Sequence, residues 1–237
     1  MNNGLIYPDI LIGLGITAFF TDKTVGIDKT KFALPQGHEP ILYMPVQQHT
    51  GTVIVLRRGS DLDMERVGDA VVTDRDDVII GVRTADCVPV LLYDASAGAA
   101  GAVHAGWRGT AKGILMAAIN TLTEEFGSKP EDILIAFGPS IHGCCYEVGG
   151  EVVEAVTSAS GRGDYTLEKD GRMYVDLVSA NTTQALSLNV PKENIWASDS
   201  CTSCCSEHFN SFRKEGTRRG SQGAFIFQHP GKEKPGR

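Results

Sequence analysis

The stretch that decides the fold is residues 88–126, VPVLLYDASAGAAGAVHAGWRGTAKGILMAAINTLTEEF, because the spacing of its apolar residues changes along it. Residues 88–93 and 101–105 are rich in aliphatic side chains, so both are predicted to be extended strands, separated by small turn residues. Apolar residues then recur at helical spacing, which predicts a helix from Thr110, its N-cap, to Phe126, with Gly127 as the stop. The stretch therefore indicates a fold that mixes strands and helices.

Segments on either side repeat both patterns. Extended segments are predicted at 41–47, 52–57, 69–73, 78–82, 133–137, 195–197, 209–213 and 224–227, and helices at 148–157 and 175–188. Because strands and helices do not alternate strictly, we expect an α/β (α+β) domain of packed layers with a mixed sheet. The 237 residues fit one domain over 1–237, with 229–237 as a frayed tail.

Composition and charge narrow the class of protein. Hydrophobic residues make up 42% of the chain and the formal net charge is −7, which is typical of a globular protein that repels nucleic acids and anionic membranes. The sequence contains no run of about 20 apolar residues and no secretory signal, so we expect a cytoplasmic protein without a membrane span. Four basic residues lie close together in the sequence: Arg213, Lys214, Arg218 and Arg219. They form either a solvated loop or a patch whose arginines bind an anionic substrate.

Six cysteines occur, and most of them are neighbours in sequence. Without an export signal, they are interpreted as thiols or ligands rather than as disulfides. Cys201, Cys204 and Cys205 resemble half of a structural zinc site, for which only Cys144 and Cys145 could supply the other half. Because adjacent cysteines chelate one ion with difficulty, buried free thiols are the preferred interpretation of this group.

Three polar residues lie at predicted strand edges, where side chains from different strands can converge. They are His49, Cys87 and His104. Two imidazoles and a thiolate form a three-ligand set that suits a catalytic zinc ion with an open fourth position. The alternative is that both histidines have hydrogen-bond partners within the fold and that Cys87 packs in the core as a small apolar side chain.

Other residues near these positions suggest a substrate site. The turn at 106–110 leads into the predicted helix, so its free N–H groups and the Arg108 guanidinium could bind an anion. Asp86 could orient a ligating imidazole, move a proton or cap a turn. The loop at 138–149 could line a pocket or form a tight turn, and Tyr146 offers a flat face for stacking a ring.

Five strings carry a resemblance to a known family: QQHTG at 47–51, TADCVPVLL at 84–92, AVHAGWRGT at 102–110, GPSIHGCCYEVG at 138–149, and CT with FNSFR at 201–213. In this order they resemble the laccase-domain, or YfiH-like, family. The resemblance implies one domain with a layered α-β-β-α fold, similar to the catalytic domain of cytotoxic necrotizing factor. It also implies a metal ion bound by His49, Cys87 and His104, with Zn²⁺ expected and Cu²⁺ the alternative.

The resemblance implies three kinds of activity. Some members look like zinc-dependent purine nucleoside enzymes, which cleave adenosine, inosine, guanosine or methylthioadenosine with phosphate and deaminate adenosine. Others were named copper polyphenol oxidases, and a bacterial branch is linked to peptidoglycan precursor editing. We therefore expect a small-molecule substrate, a purine nucleoside with phosphate, and a monomeric chain.

The nucleoside hypothesis assigns roles to particular residues. Arg108 and the helix start at Thr110 would bind the anion, Asp86 would shuttle a proton, and the remaining substrate contacts would come from Trp107, Ser140, Tyr146, Phe212 and Arg213. A blue-copper oxidase also needs a three-copper cluster, but His142, His208 and His229 stand at unrelated spacings. A metal-free hydrolase with Cys87 as nucleophile and His104 as base remains a further alternative, and so does a non-enzymatic metal-binding protein.

Overall fold

Fourteen strands and five α-helices form from the residues that the computed structural model describes, 4–27, 40–216 and 220–230. The strands are β1 (Leu5–Ile6), β2 (Ile16–Thr21), β3 (Ile41–Tyr43), β4 (Val53–Leu56), β5 (Ala70–Thr73), β6 (Val78–Thr84), β7 (Val88–Asp94), β8 (Ala99–Ala105), β9 (Leu134–Phe137), β10 (Glu147–Val148), β11 (Thr166–Lys169), β12 (Arg172–Val175), β13 (Ile195–Ala197) and β14 (Gln222–Gln228). The helices are α1 (Trp107–Ala111), α2 (Ile114–Phe126), α3 (Gly150–Ser160), α4 (Leu177–Ser187) and α5 (Phe212–Glu215).

Two large mixed sheets carry the fold. One has six strands in the order β13-β9-β7-β8-β5-β4, and the other has five in the order β1-β2-β14-β6-β3. Both sheets combine antiparallel and parallel pairs. The six-stranded sheet has a parallel pair at each edge, β13 with β9 and β4 with β5, and the five-stranded sheet has one at a single edge, β3 with β6. A small sheet, β10-β12-β11, stands apart. The predicted α+β class with mixed sheets is confirmed.

The two large sheets share an apolar core. Val71 and Leu91 of the six-stranded sheet belong to one buried cluster with Phe20 and Ile226 of the five-stranded sheet, and each is at most 1% exposed. Burying aliphatic side chains of this size contributes roughly 1.5–3 kcal/mol each. Strand β7 is buried along its whole length, which explains its unbroken apolar sequence.

Helix α2 packs on the other face of the six-stranded sheet, and α3 and α4 complete the buried cluster on that side. Five apolar residues of α2 recur at helical spacing and are fully buried in this cluster: Ile114, Leu115, Ala118, Ile119 and Leu122. The chain enters α2 directly from β8 through α1. The strand ends next to α1 are therefore rigidly supported, and the candidate site lies there.

The predicted helix over 110–126 is wrong at its start. The chain already turns helical at Trp107, and Gly113, with φ +68°, separates α1 from α2. Thr110 is consequently a buried residue inside α1, and its N–H donates to the carbonyl of Gly106 at 2.8 Å. The predicted stop at Gly127 is confirmed, with φ +73° and N–H bonds to the carbonyls of the last turn.

The predicted strand over 209–213 is also wrong, because α5 begins at Phe212. The Ser211 hydroxyl accepts a hydrogen bond from the Lys214 N–H, which caps the turn. The other predicted segments contain the strands β3 to β9, β13 and β14 and the helices α3 and α4, with shifts of a few residues at their ends. The hairpin of β11 and β12 was not predicted.

Parts of the basic group and of the tail are not covered. Arg218 and Arg219 lie outside the described residues, as do residues 231–237 of the predicted tail. His229 is held, since its N–H donates to the Gly15 carbonyl and its ring nitrogen lies 2.8 Å from the Thr17 hydroxyl. Among the described residues, none of the helices combines the length and apolarity that crossing a bilayer requires.

Candidate metal centre

The three predicted ligands meet at one end of the six-stranded sheet. Cys87 immediately precedes β7, and His104 is the next-to-last residue of β8, paired with Pro89 in the antiparallel register. His49 reaches the same place from the loop between β3 and β4. The ligand atoms of the three side chains all lie within 4.8 Å of one another. Cys87 Sγ is 3.9 Å from His49 Nε2, and the two imidazole centroids are 4.9 Å apart.

A buried carboxylate, Asp69, holds both histidines in place. It is 0% exposed and accepts a hydrogen bond from His104 Nδ1 at 2.8 Å, which leaves Nε2 of that ring for a metal ion. It also accepts the backbone N–H groups of Gln48 at 3.2 Å, His49 at 3.0 Å and Thr50 at 2.5 Å. These bonds fix the loop at His49, whose φ of +56° is uncommon for a residue with a side chain.

Asp69 was not singled out in the sequence. The available signal was an acidic residue directly before an apolar strand, a position at which a carboxylate is buried only when it has partners. A second support of the same loop is Gln47, whose side-chain amide exchanges two hydrogen bonds of 2.9 Å with the backbone of Arg83. The QQH segment therefore attaches His49 to two neighbouring strands.

Gly106 makes room for the ligands. A Cβ atom at this position would lie 2.8 Å from Cys87 Sγ and 3.2 Å from His49 Cδ2. Both distances are shorter than ordinary van der Waals contact, so a larger residue would displace the sulfur or the ring. The glycine that follows β8 is thus needed for the close approach of α1 to the ligands.

Electrostatic coupling favours the metal-binding form of the thiol. Burial raises the pKa of Cys87, but hydrogen bonds and charge from His104 and His49 outweigh it and lower the pKa to about 6. Burial lowers the pKa of His104, but Asp69 and Cys87 together raise it to about 9. Burial also opposes ionisation of Asp69, and hydrogen bonds from His104 and Thr50 nevertheless hold its pKa well below the usual range. A thiolate beside two imidazoles is a donor set that fits zinc or copper.

A cavity of about 400 Å³ opens beside the ligands. Aromatic and cationic side chains dominate its wall, and the guanidinium carbons of Arg108 and Arg213 lie 4.4 Å and 5.3 Å from the ring centroids of Trp107 and Tyr146. The lining residues are His49, Ala85, Asp86, Cys87, Trp107, Arg108, Ile141, Tyr146, Leu177, Phe212 and Arg213. A flat ring and an anion could therefore both bind within reach of Cys87.

Asp86 lies on this wall, with both carboxylate oxygens engaged. Oδ1 accepts the Thr202 hydroxyl at 2.6 Å, and Oδ2 accepts the backbone N–H of Arg213 at 2.7 Å. The carboxylate on the His104 ring is that of Asp69. Asp86 instead connects β7 with the segment that carries Phe212 and Arg213, and its role in proton transfer stays a prediction.

Two other predicted contacts lie behind the wall. Ser140 is 0% exposed, and its backbone pairs with that of Cys201. Thr110, proposed as the helix start that binds an anion, is buried, and its hydroxyl accepts a hydrogen bond from Asn181 at 2.9 Å. The anion-binding groups that reach the cavity are thus the two arginines rather than a helix terminus at Thr110.

A second group of potential metal ligands lies outside this centre. The sulfurs of Cys144, Cys145, Cys201 and Cys204 are all within 4.8 Å of one another. The predicted burial of these cysteines holds for Cys201 alone, since Cys145 and Cys205 are half-buried and Cys144 and Cys204 are exposed. Cys205 is not a member of the group.

Comparison with known proteins finds a matching family model and several similar proteins. A family model described as multi-copper polyphenol oxidoreductase laccase matches residues 25–229. A purine nucleoside phosphorylase of Clostridium acetobutylicum is 39% identical over 185 residues, which cover 76% of this chain and 75% of that protein. An adenosine deaminase from an unknown prokaryotic organism is 38% identical over 197 residues, covering 79% and 75%.

A solved structure also resembles the chain along most of its length. YlmD from Geobacillus stearothermophilus superposes with a TM-score of 0.79 at 30% sequence identity, and the match covers 91% of this chain and 92% of that one. A further relative, a purine nucleoside phosphorylase of Aquifex aeolicus, is 37% identical over 204 residues, covering 86% and 91%. The likeness therefore includes the strands and loops that form the candidate centre.

Proposed function

Because the chain belongs to the family described as multi-copper polyphenol oxidoreductase laccase, whose similar members include enzymes named purine nucleoside phosphorylase and adenosine deaminase, we propose that it is a zinc-dependent purine nucleoside enzyme. The observation that carries the proposal is the His₂Cys donor set at the edge of a cavity walled by aromatic rings and two arginines. The reactions proposed are phosphorolysis of adenosine, inosine, guanosine or methylthioadenosine, and deamination of adenosine.

The cavity wall would orient the substrate. The rings of Trp107, Tyr146 and Phe212 offer faces on which a purine can stack, and base–aromatic stacking contributes about 1–3 kcal/mol. Arg108 and Arg213 would hold phosphate through charge-assisted hydrogen bonds. Because Arg213 also donates to the Glu147 carbonyl at 2.8 Å, its guanidinium is already aligned over Tyr146.

The metal ligands and their supports would then act on the bound nucleoside. Zinc at His49, Cys87 and His104 would supply Lewis acidity and lower the pKa of a bound water to about 7. Asp69 would keep His104 oriented with Nε2 toward the site, and Asp86 would accept or return a proton at the purine or ribose. The apolar residues Ile141 and Leu177 would limit the access of other water molecules.

A product assay tests the proposal. The purified chain is stripped with a chelator, reloaded with Zn²⁺ or Cu²⁺, and incubated with adenosine with and without phosphate. We expect adenine and ribose 1-phosphate only when phosphate is present, and inosine under both conditions. The Cys87→Ser variant should yield neither product, whereas Cys205→Ser, which alters a thiol outside both ligand groups, should match the wild type. Absence of both products from the zinc-loaded chain would contradict the proposal.

One alternative has support from the same geometry. Cys87, His104 and Asp69 place a thiolate, an imidazole and a carboxylate next to one another in that spatial order, an arrangement that a cysteine hydrolase also uses. Such an enzyme needs no metal, so its activity on an amide or ester would survive complete chelation. The nucleoside activity should instead be lost on chelation and return with zinc.

Oxidase chemistry by a multi-copper mechanism receives less support. Within residues 4–27, 40–216 and 220–230, the second group of potential ligands consists of thiols alone. His142, His208 and His229 join neither group, so this part of the chain offers no imidazole cluster for three coppers. Copper in the His₂Cys site would be a single ion.

A further inference from the structure

Four cysteine sulfurs form a compact group outside the His49–Cys87–His104 centre. Cys144 and Cys145 come from the loop before β10, and Cys201 and Cys204 from the loop after β13. The Cys144 and Cys145 sulfurs are 3.8 Å apart, Cys144 and Cys204 are 3.6 Å apart, and Cys145 and Cys204 are 3.3 Å apart. All four lie within 4.8 Å of one another although about 60 residues separate the two loops.

These separations suit one tetrahedral ion. With Zn–S bonds of about 2.3 Å, the sulfurs of a tetrahedral site are about 3.8 Å apart, so small movements would complete the coordination. Adjacency does not prevent Cys144 and Cys145 from sharing an ion, because their side chains already turn to the same point. Four thiolates are also the ligand set of many structural zinc sites.

The backbone around Cys201 is arranged as it is around a metal-bound thiolate. The His142 N–H donates to Cys201 Sγ at 3.5 Å. The backbone N–H groups of Cys204 and Ser203 are also directed at this sulfur. Two of these donors lie within the Cys201–Cys204 CxxC turn itself. Hydrogen bonds to ligating sulfurs orient and tune metal sites of this kind.

We propose that Cys144, Cys145, Cys201 and Cys204 form a second, structural zinc site, separate from the His49–Cys87–His104 centre. The ion would join the loop that carries Tyr146 to the loop that carries Thr202. Since Thr202 holds Asp86, and Asp86 and Tyr146 both line the cavity, this site would brace the cavity wall without contacting substrate. The inference does not depend on the proposed nucleoside activity.

Zinc counting tests the proposal directly. The full chain is purified with reductant, equilibrated with Zn²⁺, passed through gel filtration and measured by elemental analysis. We expect two zinc ions per wild-type chain, one in Cys87→Ser, one in Cys204→Ser and none in the double variant. Cys205→Ser is the matched control, since it changes a neighbouring thiol outside the group, and should retain two.

A spectroscopic measurement keeps the test decisive where a cysteine variant folds poorly. Co²⁺ is added to Cys87→Ser, in which the four cysteines of the second site are intact. We expect an intense sulfur-to-metal charge-transfer band that Zn²⁺ abolishes and that the further substitution Cys144→Ser reduces. A folded Cys87→Ser protein that binds no zinc, or that gives no such band, would overturn the proposal. A disulfide between Cys145 and Cys204 in freshly purified, zinc-saturated protein would overturn it as well, because the group would then be a redox pair.

Discussion

His104 Nδ1 lies 2.8 Å from a carboxylate oxygen of Asp69, and because an ionised carboxylate can only accept, the imidazole donates this bond. The same carboxylate accepts three backbone N–H groups of the His49 loop. One buried residue therefore positions two predicted metal ligands that are 55 positions apart. Metal-ligating imidazoles commonly depend on such a partner for ring orientation and basicity.

Replacement of this carboxylate should weaken metal binding more than it affects folding. We expect Asp69→Asn to lower zinc affinity by about 10–100-fold, the usual cost of losing such a partner. Competition with a chromophoric chelator measures the affinity. Asp94→Asn is the matched control, because Asp94 is equally buried and caps backbone N–H groups at the other end of β7. Equal zinc affinity in the two variants would contradict the assigned role of Asp69.

The sequence led to the three predicted ligands but not to their supports, for a physical reason. Thiol and imidazole side chains at strand edges suit a metal ion chemically, and the family resemblance favoured this interpretation over satisfied core histidines. Asp69 acquires its role only when the 48–50 loop folds around it, and that depends on a left-handed φ at His49 that no local pattern indicates. Ser140 shows a different kind of error. It was predicted to contact substrate from a loop that could line the pocket, but its backbone pairs with Cys201 and its side chain is buried.

The errors in secondary structure have similar causes. Apolar periodicity located α2, but α1 has only five residues, too few to show such periodicity, and it is held by packing on α3 and α4. The strand predicted at 209–213 was overridden by the Ser211 cap and by the Asp86 bond to the Arg213 N–H. The missed hairpin had a local signal, Asp170-Gly171, whose φ values of +52° and +71° suit a two-residue turn.

Gly106→Ala should damage the metal centre through crowding. The new methyl group would lie 2.8 Å from Cys87 Sγ, so the sulfur must move by several tenths of an ångström. Since displacements of about 1 Å can lower rates by about 100-fold, we expect at least a 10-fold loss of kcat with weaker zinc binding. Gly150→Ala is the control, because nothing lies within 4 Å of its added carbon. Wild-type kinetics in Gly106→Ala would show that the ligands tolerate the displacement.

Loss of either Arg108 or Arg213 should weaken the binding of phosphate more than the binding of the nucleoside. Hydrogen bonds to charged groups contribute about 1.5–3 kcal/mol, so Arg108→Ala and Arg213→Ala should each raise the KM for phosphate by roughly 10–100-fold. Deamination of adenosine, which consumes no phosphate, should change less. Arg58→Ala, which removes a surface arginine paired with Asp76, is the control. If both variants lose deamination and phosphorolysis equally, the arginines act on the nucleoside or on folding.

The thiol of Cys87 should titrate unusually low in metal-free protein. Its folded-state pKa of about 6 lies below the ordinary value of 9.0, so its contribution to stability is present above pH 9 and is lost as the pH falls through 6. Alkylation by iodoacetamide, resolved by peptide mass spectrometry, should reach half its maximal rate near pH 6. Cys205 is an internal reference, because burial and the nearby Glu207 raise its pKa. Bound zinc should protect Cys87 at every pH at which it stays bound, since the thiolate is then a ligand. Alkylation of Cys87 with the pH dependence of Cys205 would mean that His49 and His104 do not stabilise the thiolate.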